Sequence, residues 1–190
     1  MKIYFTAPIK GIEDVEKNIR NIHEIIRKLG YTHVDNIINR LDQGNSFYEK
    51  LDKGGANTHS TYFEETINKI KEADINIFEC SIPSLGVGFQ IEKSLDYNKP
   101  TIVLYFKKNT PHFLTGTQND KLFLKEYSVE NLNQVVKDAI EEAKHATDKR
   151  FNFFISPSLL SYLEEESKRF DMTKSAFIRK LILDHKKRAK

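Results

Sequence analysis

Apolar positions along the first 145 residues fall alternately into short runs and helically spaced sets. Ile3, Tyr4 and Phe5 form one run, Ile75, Ile77 and Phe78 a second, and Ile102 to Phe106 a third that begins just after Pro100, a residue tolerated at the start of a strand. These predict buried strands, with further strands over residues 34–38 and at Leu122, Leu124 and Tyr127. Between the runs, Ile12, Val15, Ile19, Ile22, Ile25, Ile26 and Leu29 recur at helical spacing up to Gly30, which suits the position just past a helix end. Tyr62, Phe63, Ile67 and Ile70 predict a second helix, and Val87, Ile91 and Leu95 a third. Leu132, Val135, Val136, Ile140 and Ala143 predict a fourth, with Ser128 as its cap. Periodicity is lost over residues 39–60, which contain Gly44, Gly54 and Gly55 and are read as a long loop acting as a lid.

Strands alternating with helices predict an α/β fold, a flavodoxin-like doubly wound parallel sheet with right-handed crossovers. Ligands of such sheets sit outside the carboxyl ends of the strands, which places a candidate pocket at residues 79–90. Within it, Pro83, Ser84, Leu85, Gly86, Val87 and Gly88 read as a tight turn feeding a helix N-terminus, where unpaired N–H groups and the helix dipole favour a phosphate or carboxylate. A turn with no ligand carries the same string, and both readings stay open at this point.

The pattern changes after residues 145–148, dividing the chain into domains 1–147 and 148–190. Phe151, Phe153 and Ile155 alternate with Arg150, Asn152 and Phe154; Pro157 then opens a helix with Leu159, Leu160 and Leu163 inward. Met172, Thr173, Lys174 and Ser175 begin another with Ala176, Phe177, Ile178, Leu181 and Ile182. This is a small β-α-α unit. A lone strand cannot satisfy its own backbone groups, so pairing with the same strand of a second chain is expected, giving a homodimer or higher even oligomer.

Composition adds limits. The 190 residues are 39% apolar and 30% charged with net charge +3, enough for a real core and silent about global partners. No run of eighteen apolar residues exists and the N-terminus enters a strand pattern directly, so a soluble cytoplasmic protein without a membrane partner is expected. Cys80 is the single cysteine, which excludes an internal disulfide and reads as a buried structural thiol. His33, His59 and His112 lack metal-ligand spacing, and neither metal nor cofactor is expected.

Two literal strings carry resemblances. AD before an apolar strand, then PSLGVGF, a helix, and NKP before the next strand, together with the opening MKIYFTAPIKG, resembles the nucleoside 2-deoxyribosyltransferase-like family, especially its deoxynucleoside 5'-monophosphate N-glycosidases. The resemblance covers about the first two thirds of the chain. It implies a nucleotide or nucleoside-like ligand held by Tyr4 near the sugar and by Thr6, Ala7, Pro8, Glu79, Ser84, Leu85, Gly86, Gly88 and Gln90. It also implies that the loop at residues 107–120 can reach a neighbouring subunit's pocket through Thr115. In that family a glutamate nucleophile follows the GVG-aromatic string; this chain has Gln90, and a neutral amide can neither form the glycosyl ester nor accept a proton. A second acidic position of the family falls on Thr66, with Glu64 and Glu65 adjacent. Glu92, two residues past Gln90, is turned about 200° away on a helix. The chain therefore reads as a nucleotide-binding, catalytically degenerate domain, with an active N-glycosidase or deoxyribosyltransferase using Glu65 or Glu92 as the alternative.

Residues 149–188, with the turn DMTKSAFIRKLI, resemble the ribbon-helix-helix family of dimeric DNA-binding proteins. That resemblance implies duplex DNA as a partner, with Arg150 and Asn152 reading bases, Thr173, Lys174 and Ser175 at a phosphate, and a ligand-responsive transcriptional regulator as the whole. Phe154 departs from the polar residue usual in that outward register, and either contacts a thymine methyl or marks a ribbon that grips protein.

Overall fold

The structure is a computed structural model that describes residues 1–146 and 153–188. The chain divides into two compact units, Met1–Asp148 and Lys149–Lys190.

The first unit is a five-stranded, all-parallel sheet in the order β2-β1-β3-β4-β5. Its strands are β1 (Lys2–Thr6), β2 (Thr32–His33), β3 (Ile75–Glu79), β4 (Thr101–Phe106) and β5 (Leu122–Tyr127). Side-chain alternation splits the core between two faces. Ile3, Phe5, Ile75, Ile77, Ile102 and Leu104 pack on one side against α1 (Glu16–Lys28) and α6 (Leu132–His145). Tyr4, Phe78 and Val103 pack on the other against Ile70 of α3 (Asn45–Glu72) and Val87 and Ile91 of α4 (Leu85–Asp96). This is the predicted doubly wound arrangement. Full burial of an isoleucine contributes roughly 1.5–3 kcal/mol, so the six strand residues under α1 and α6 outweigh any single surface interaction.

Helix α1 ends as the sequence indicates. Gly30 takes a φ of 82°, its N–H bonds the Arg27 carbonyl at 3.0 Å, and the Tyr31 N–H reaches back to the Ile26 carbonyl, a Schellman closure that needs the left-handed residue.

Three sequence-based expectations need correction. Residues 34–38 are not a strand: β2 stops at His33, and the Asn36 side chain accepts the Ile38 N–H at 3.1 Å to cap a helix, α2 (Ile37–Gln43). Residues 39–60 are not a loop; they lie in α2 and in α3, which is kinked at Gly55. Before the kink no residue of α3 is fully buried, and its apolar set is only Phe47, Tyr48 and Leu51, too short beside Gly44, Gly54 and Gly55 to set a period. Asn131, not Ser128, occupies the cap of α6, with its Oδ1 accepting the Ser128 N–H at 2.7 Å. The expected loop at residues 107–120 contains one helical turn, α5 (His112–Thr115).

The second unit contains α7 (Pro157–Arg169) and α8 (Lys174–Arg188). Ser156 caps α7, with Pro157 at the first helical position. Asp171, at a φ of 51°, turns the chain, and Thr173 Oγ1 accepts the Ala176 N–H at 3.2 Å at the start of α8. Phe177 is buried and stacks on Phe170 at 5.6 Å. Residues 153–155 form no strand within the chain, while Arg150 and Asn152 lie outside the described residues. Phe153 and Phe154 are exposed.

Among the described residues no helix is long and apolar enough to cross a membrane.

Candidate functional site

Strand order reverses between β1 and β3, and the crevice there lies outside their carboxyl ends. A cavity of about 310 Å³ occupies this place. Thr6, Ala7, Pro8 and Ile9 line it from the end of β1, and Ser84, Gly86, Val87 and Gln90 from the start of α4. Ser84 is the helix cap: its Oγ accepts the Val87 N–H at 3.4 Å and its carbonyl the Gly88 N–H at 2.9 Å. The first turn of α4 thus opens toward the groove as an anion-compatible end.

Beneath the groove Tyr4 is buried, and its hydroxyl donates to Gln90 Oε1 at 2.8 Å. Burial pushes the Tyr4 phenol well above its ordinary value, with Arg40 opposing, so the group stays a neutral donor. With Oε1 engaged, the Gln90 amide presents its NH2 as a further donor.

The far wall comes from the segment that the sequence pattern left as a loop. Arg40 of α2 and Tyr48 and Tyr62 of α3 line the cavity. Arg40 forms an ion pair with Asp35, to which Lys69 Nζ also binds at 2.9 Å, and Arg40 Nη2 donates to Thr6 Oγ1 at 3.4 Å. Burial alone would raise the Asp35 carboxyl, but Arg40 and Lys69 outweigh it and hold the group below the usual carboxylate range. Phe47 packs edge-on against both Tyr48 and Tyr62, at 5.3 and 5.6 Å, and Lys10 Nζ stands 4.2 Å from the Tyr48 ring. The one local signal for this wall was Asn36 ahead of an apolar pair, an N-cap that starts α2.

Of the expected site residues, Thr6, Ala7, Pro8, Ser84, Gly86 and Gln90 converge on this groove, with Tyr4 below. Others do not. Glu79 points to the opposite face of the sheet, fully buried, its Oε1 accepting from the Ser81 backbone N–H, the Ser81 hydroxyl and Tyr127 at 2.9 Å. Burial raises its carboxyl above the ordinary range. Alternation decides this: Ile75, Ile77 and Glu79 share one face, Phe78 the other. Leu85 is 94% exposed. Gly88 lines a second cavity, about 350 Å³, between residues 80–91 and 109–114, where Cys80 also lies; burial pushes that thiol up. Thr115 is exposed and donates to the His112 carbonyl at 2.7 Å; it lines neither cavity, although its neighbour Leu114 lines the second. Thr66 is buried, whereas Glu64, Glu65 and Glu92 are exposed, and none of the four lines the groove. Among the described residues no group of three His, Cys, Asp or Glu is placed to hold a metal.

No family model matches the chain. Individual relatives do. A 2'-deoxynucleoside 5'-phosphate N-hydrolase 1 of Thermofilum pendens is 30% identical over 112 residues, which is 57% of this chain and 70% of the relative. The chain belongs to the 2'-deoxynucleoside 5'-phosphate N-hydrolase family. The N-hydrolase 1 of Syntrophotalea carbinolica is 28% identical over 75% of this chain and 96% of its own length. A 5-hydroxymethyl-dUMP N-hydrolase of Tetraodon nigroviridis is 23% identical over 76% and 100%. Each of these alignments leaves about a quarter or more of this N-hydrolase family member unmatched. Among solved structures, a CMP N-glycosidase of Clostridium botulinum, BcmB, aligns with a TM-score of 0.48 and 12% identity over 73% of this chain and 97% of its own.

Proposed function

We propose that the first unit binds a 2'-deoxynucleoside 5'-monophosphate in the β1–β3 groove and does not cleave its glycosidic bond at an enzyme-like rate. The observation that carries this is the Tyr4–Gln90 pair. Residue 90 sits inside the groove at the position where the resemblance places the attacking carboxylate, and it is an amide accepting from a buried phenol. Attack on the anomeric carbon needs an oxygen that can carry the new bond while the base departs, and an amide supplies neither that nucleophile nor a proton acceptor. What is left around it is a binding site: the α4 N-terminus for the phosphate, Gln90 and Tyr4 for the sugar, and the tyrosine wall for the base.

In the same reading the second unit is a ribbon-helix-helix dimer that couples nucleotide occupancy to duplex DNA in a transcriptional regulator. Its support is the α7–α8 pair joined by a capped turn with Thr173 at the start of α8, and a surface that leaves Phe153, Phe154, Leu181 and Ile182 exposed in one chain. Retardation of duplex DNA by the intact chain at low salt, falling steeply as salt rises, is expected; no retained duplex removes this half of the reading.

A second reading is favoured by the relatives, which are named as hydrolases: an active N-hydrolase in which a carboxylate outside the groove moves in. One experiment separates the two. The four common deoxynucleoside monophosphates are incubated with the protein, and melting temperature and free base are followed in the same samples. A rise in melting temperature without base release supports binding alone. Steady base release that Glu65→Gln or Glu92→Gln abolishes establishes the enzyme.

A further inference from the structure

We propose that Arg40 selects the base of the bound nucleotide, favouring bases whose exposed edge presents carbonyl acceptors (guanine, thymine, uracil) over those that present an amino group (adenine, cytosine). This rests on the nucleotide reading of the groove. Three observations carry it.

The first is how Arg40 is held. Its guanidinium is paired with Asp35 and donates to Thr6 Oγ1, and the Asp35 carboxylate is shared with Lys69. Both members of the Arg40–Asp35 pair are largely withdrawn from water, with 12% and 8% of their side-chain surface exposed. Two cations against one carboxylate leave positive charge facing the cavity that Arg40 lines. The Asp35 and Thr6 contacts fix the plane of the fork and use only part of its five N–H donors.

The second is where Arg40 lies along the groove. The phosphate-compatible end is the first turn of α4 at Ser84 and Gly86. Gln90 is six residues past Ser84 and four past Gly86, about 6–9 Å along the helix at 1.5 Å per residue. Tyr4, bonded to Gln90, belongs to β1 together with Thr6, the residue Arg40 touches. With the phosphate at Ser84 and Gly86 and the sugar at Gln90 and Tyr4, the base is left the remaining wall of the cavity, the one that holds Arg40, Tyr48 and Tyr62.

The third is that wall itself. Tyr48, which has Lys10 over its ring, and Tyr62 line the same cavity as Arg40 and offer aromatic rings to a base, but stacking accepts every base alike. Discrimination falls to the polar group. Arginine donates and never accepts, so it matches O6 and N7 of guanine or O4 of thymine and uracil, and meets a second donor in the amino group of adenine or cytosine.

The test is binding of dGMP, dTMP, dUMP, dAMP and dCMP to the full-length chain by titration calorimetry, for the wild type, Arg40→Gln and Arg40→Lys. The wild type is expected to hold the three carbonyl-edged nucleotides about tenfold or more tighter than the two amino-edged ones, the scale of one specific base contact. Arg40→Gln, whose amide both donates and accepts, is expected to move the preference toward dAMP. Arg40→Lys keeps the charge on Asp35 without the fork and is expected to bring all five within about threefold. Should Arg40→Gln fail to fold, Arg40→Lys decides alone. Wild-type affinities all within about threefold, or a uniform loss across all five in both variants, would overturn the assignment and make Arg40 a phosphate ligand or a structural group. No binding of any nucleotide by the wild type would overturn the nucleotide reading and this inference together.

Discussion

Gln90 Oε1 accepts a hydrogen bond from the Tyr4 hydroxyl at 2.8 Å, so placing a carboxylate there needs no change in backbone or partner. Gln90→Glu is expected to raise base release from deoxynucleoside monophosphates by about two orders of magnitude or more, the scale of one well-placed catalytic group, measured as free base by chromatography. No rise would place the missing function elsewhere in the groove. Glu79 behaves differently. Its raised carboxyl pKa means the folded state holds that proton more tightly than the unfolded state, so its contribution is fully present below the unfolded value near 4.5 and is lost as pH rises through the folded value. Glu79→Gln keeps an acceptor for Ser81 and Tyr127 and removes the group whose ionisation burial opposes. Its melting temperature is expected to exceed the wild type's by about 3 °C at pH 7.5 and to match it near pH 4, by calorimetry. The sequence marked both residues; strand alternation from Ile75 and Ile77 is what puts Glu79 beneath α1 and α6, while Gln90 reaches the groove from α4.

At the level of elements, β1, β3 and β4 were legible because they are buried on both faces, and α1 because its stripe ends in a glycine that closes a Schellman turn. The first half of α3 was not. Residues 45–54 carry only one short apolar set, Phe47, Tyr48 and Leu51, none of it fully buried, and Gly54 and Gly55 read as loop although the chain is helical on both sides of them. Gly55 sits at a φ of 65° and ψ of −164°, a region open essentially to glycine alone. Tyr48 lies before that kink and Tyr62 after it, so the kink sets the spacing of the two rings on the groove wall. Gly55→Ala is expected to cost about 1–3 kcal/mol in denaturant melts and to weaken nucleotide binding; unchanged affinity would detach the kink from the site. A second element-level device joins α1 to β2. His23 and His33 stack at 4.0 Å, and burial lowers both; at His23 the His33 and Arg27 charges add to this and Glu24 opposes it, while at His33 the hydrogen bond to the His23 carbonyl and Asp35 oppose it. Depressed histidines stabilise the fold above the unfolded value near 6.5, and that contribution is lost as pH falls through their folded values. Over pH 7 to 5 the pair acts against Glu79, so His33→Phe is expected to lose less melting temperature, or gain more, than the wild type as pH falls.

On the scale of the molecule, the two units differ in what holds them. The first has a two-sided core. The second buries Leu163 and Phe177 but leaves Leu159, Tyr162, Leu181 and Ile182 exposed in one chain. Phe177→Ala removes most of that small core, a loss of about 3–5 kcal/mol at a buried phenylalanine. Hydrogen exchange is expected to accelerate throughout residues 157–188 while the sheet of the first unit keeps its protection; uniform loss in both would mean the units fold as one. Of the C-terminal pattern, the two helices were readable from apolar spacing and capping; the expected strand is not formed at residues 153–155, and the rest of it lies outside the described residues. For the molecule as a whole the central claim is occupancy without turnover. The most direct measurement is a proton NMR time course of a deoxynucleoside monophosphate with the wild-type chain, using saturation transfer to detect contact. Transfer to the base and anomeric protons, with no free base accumulating over hours, is the expected result. Steady growth of free base and deoxyribose 5-phosphate, or no transfer to any nucleotide, would contradict it.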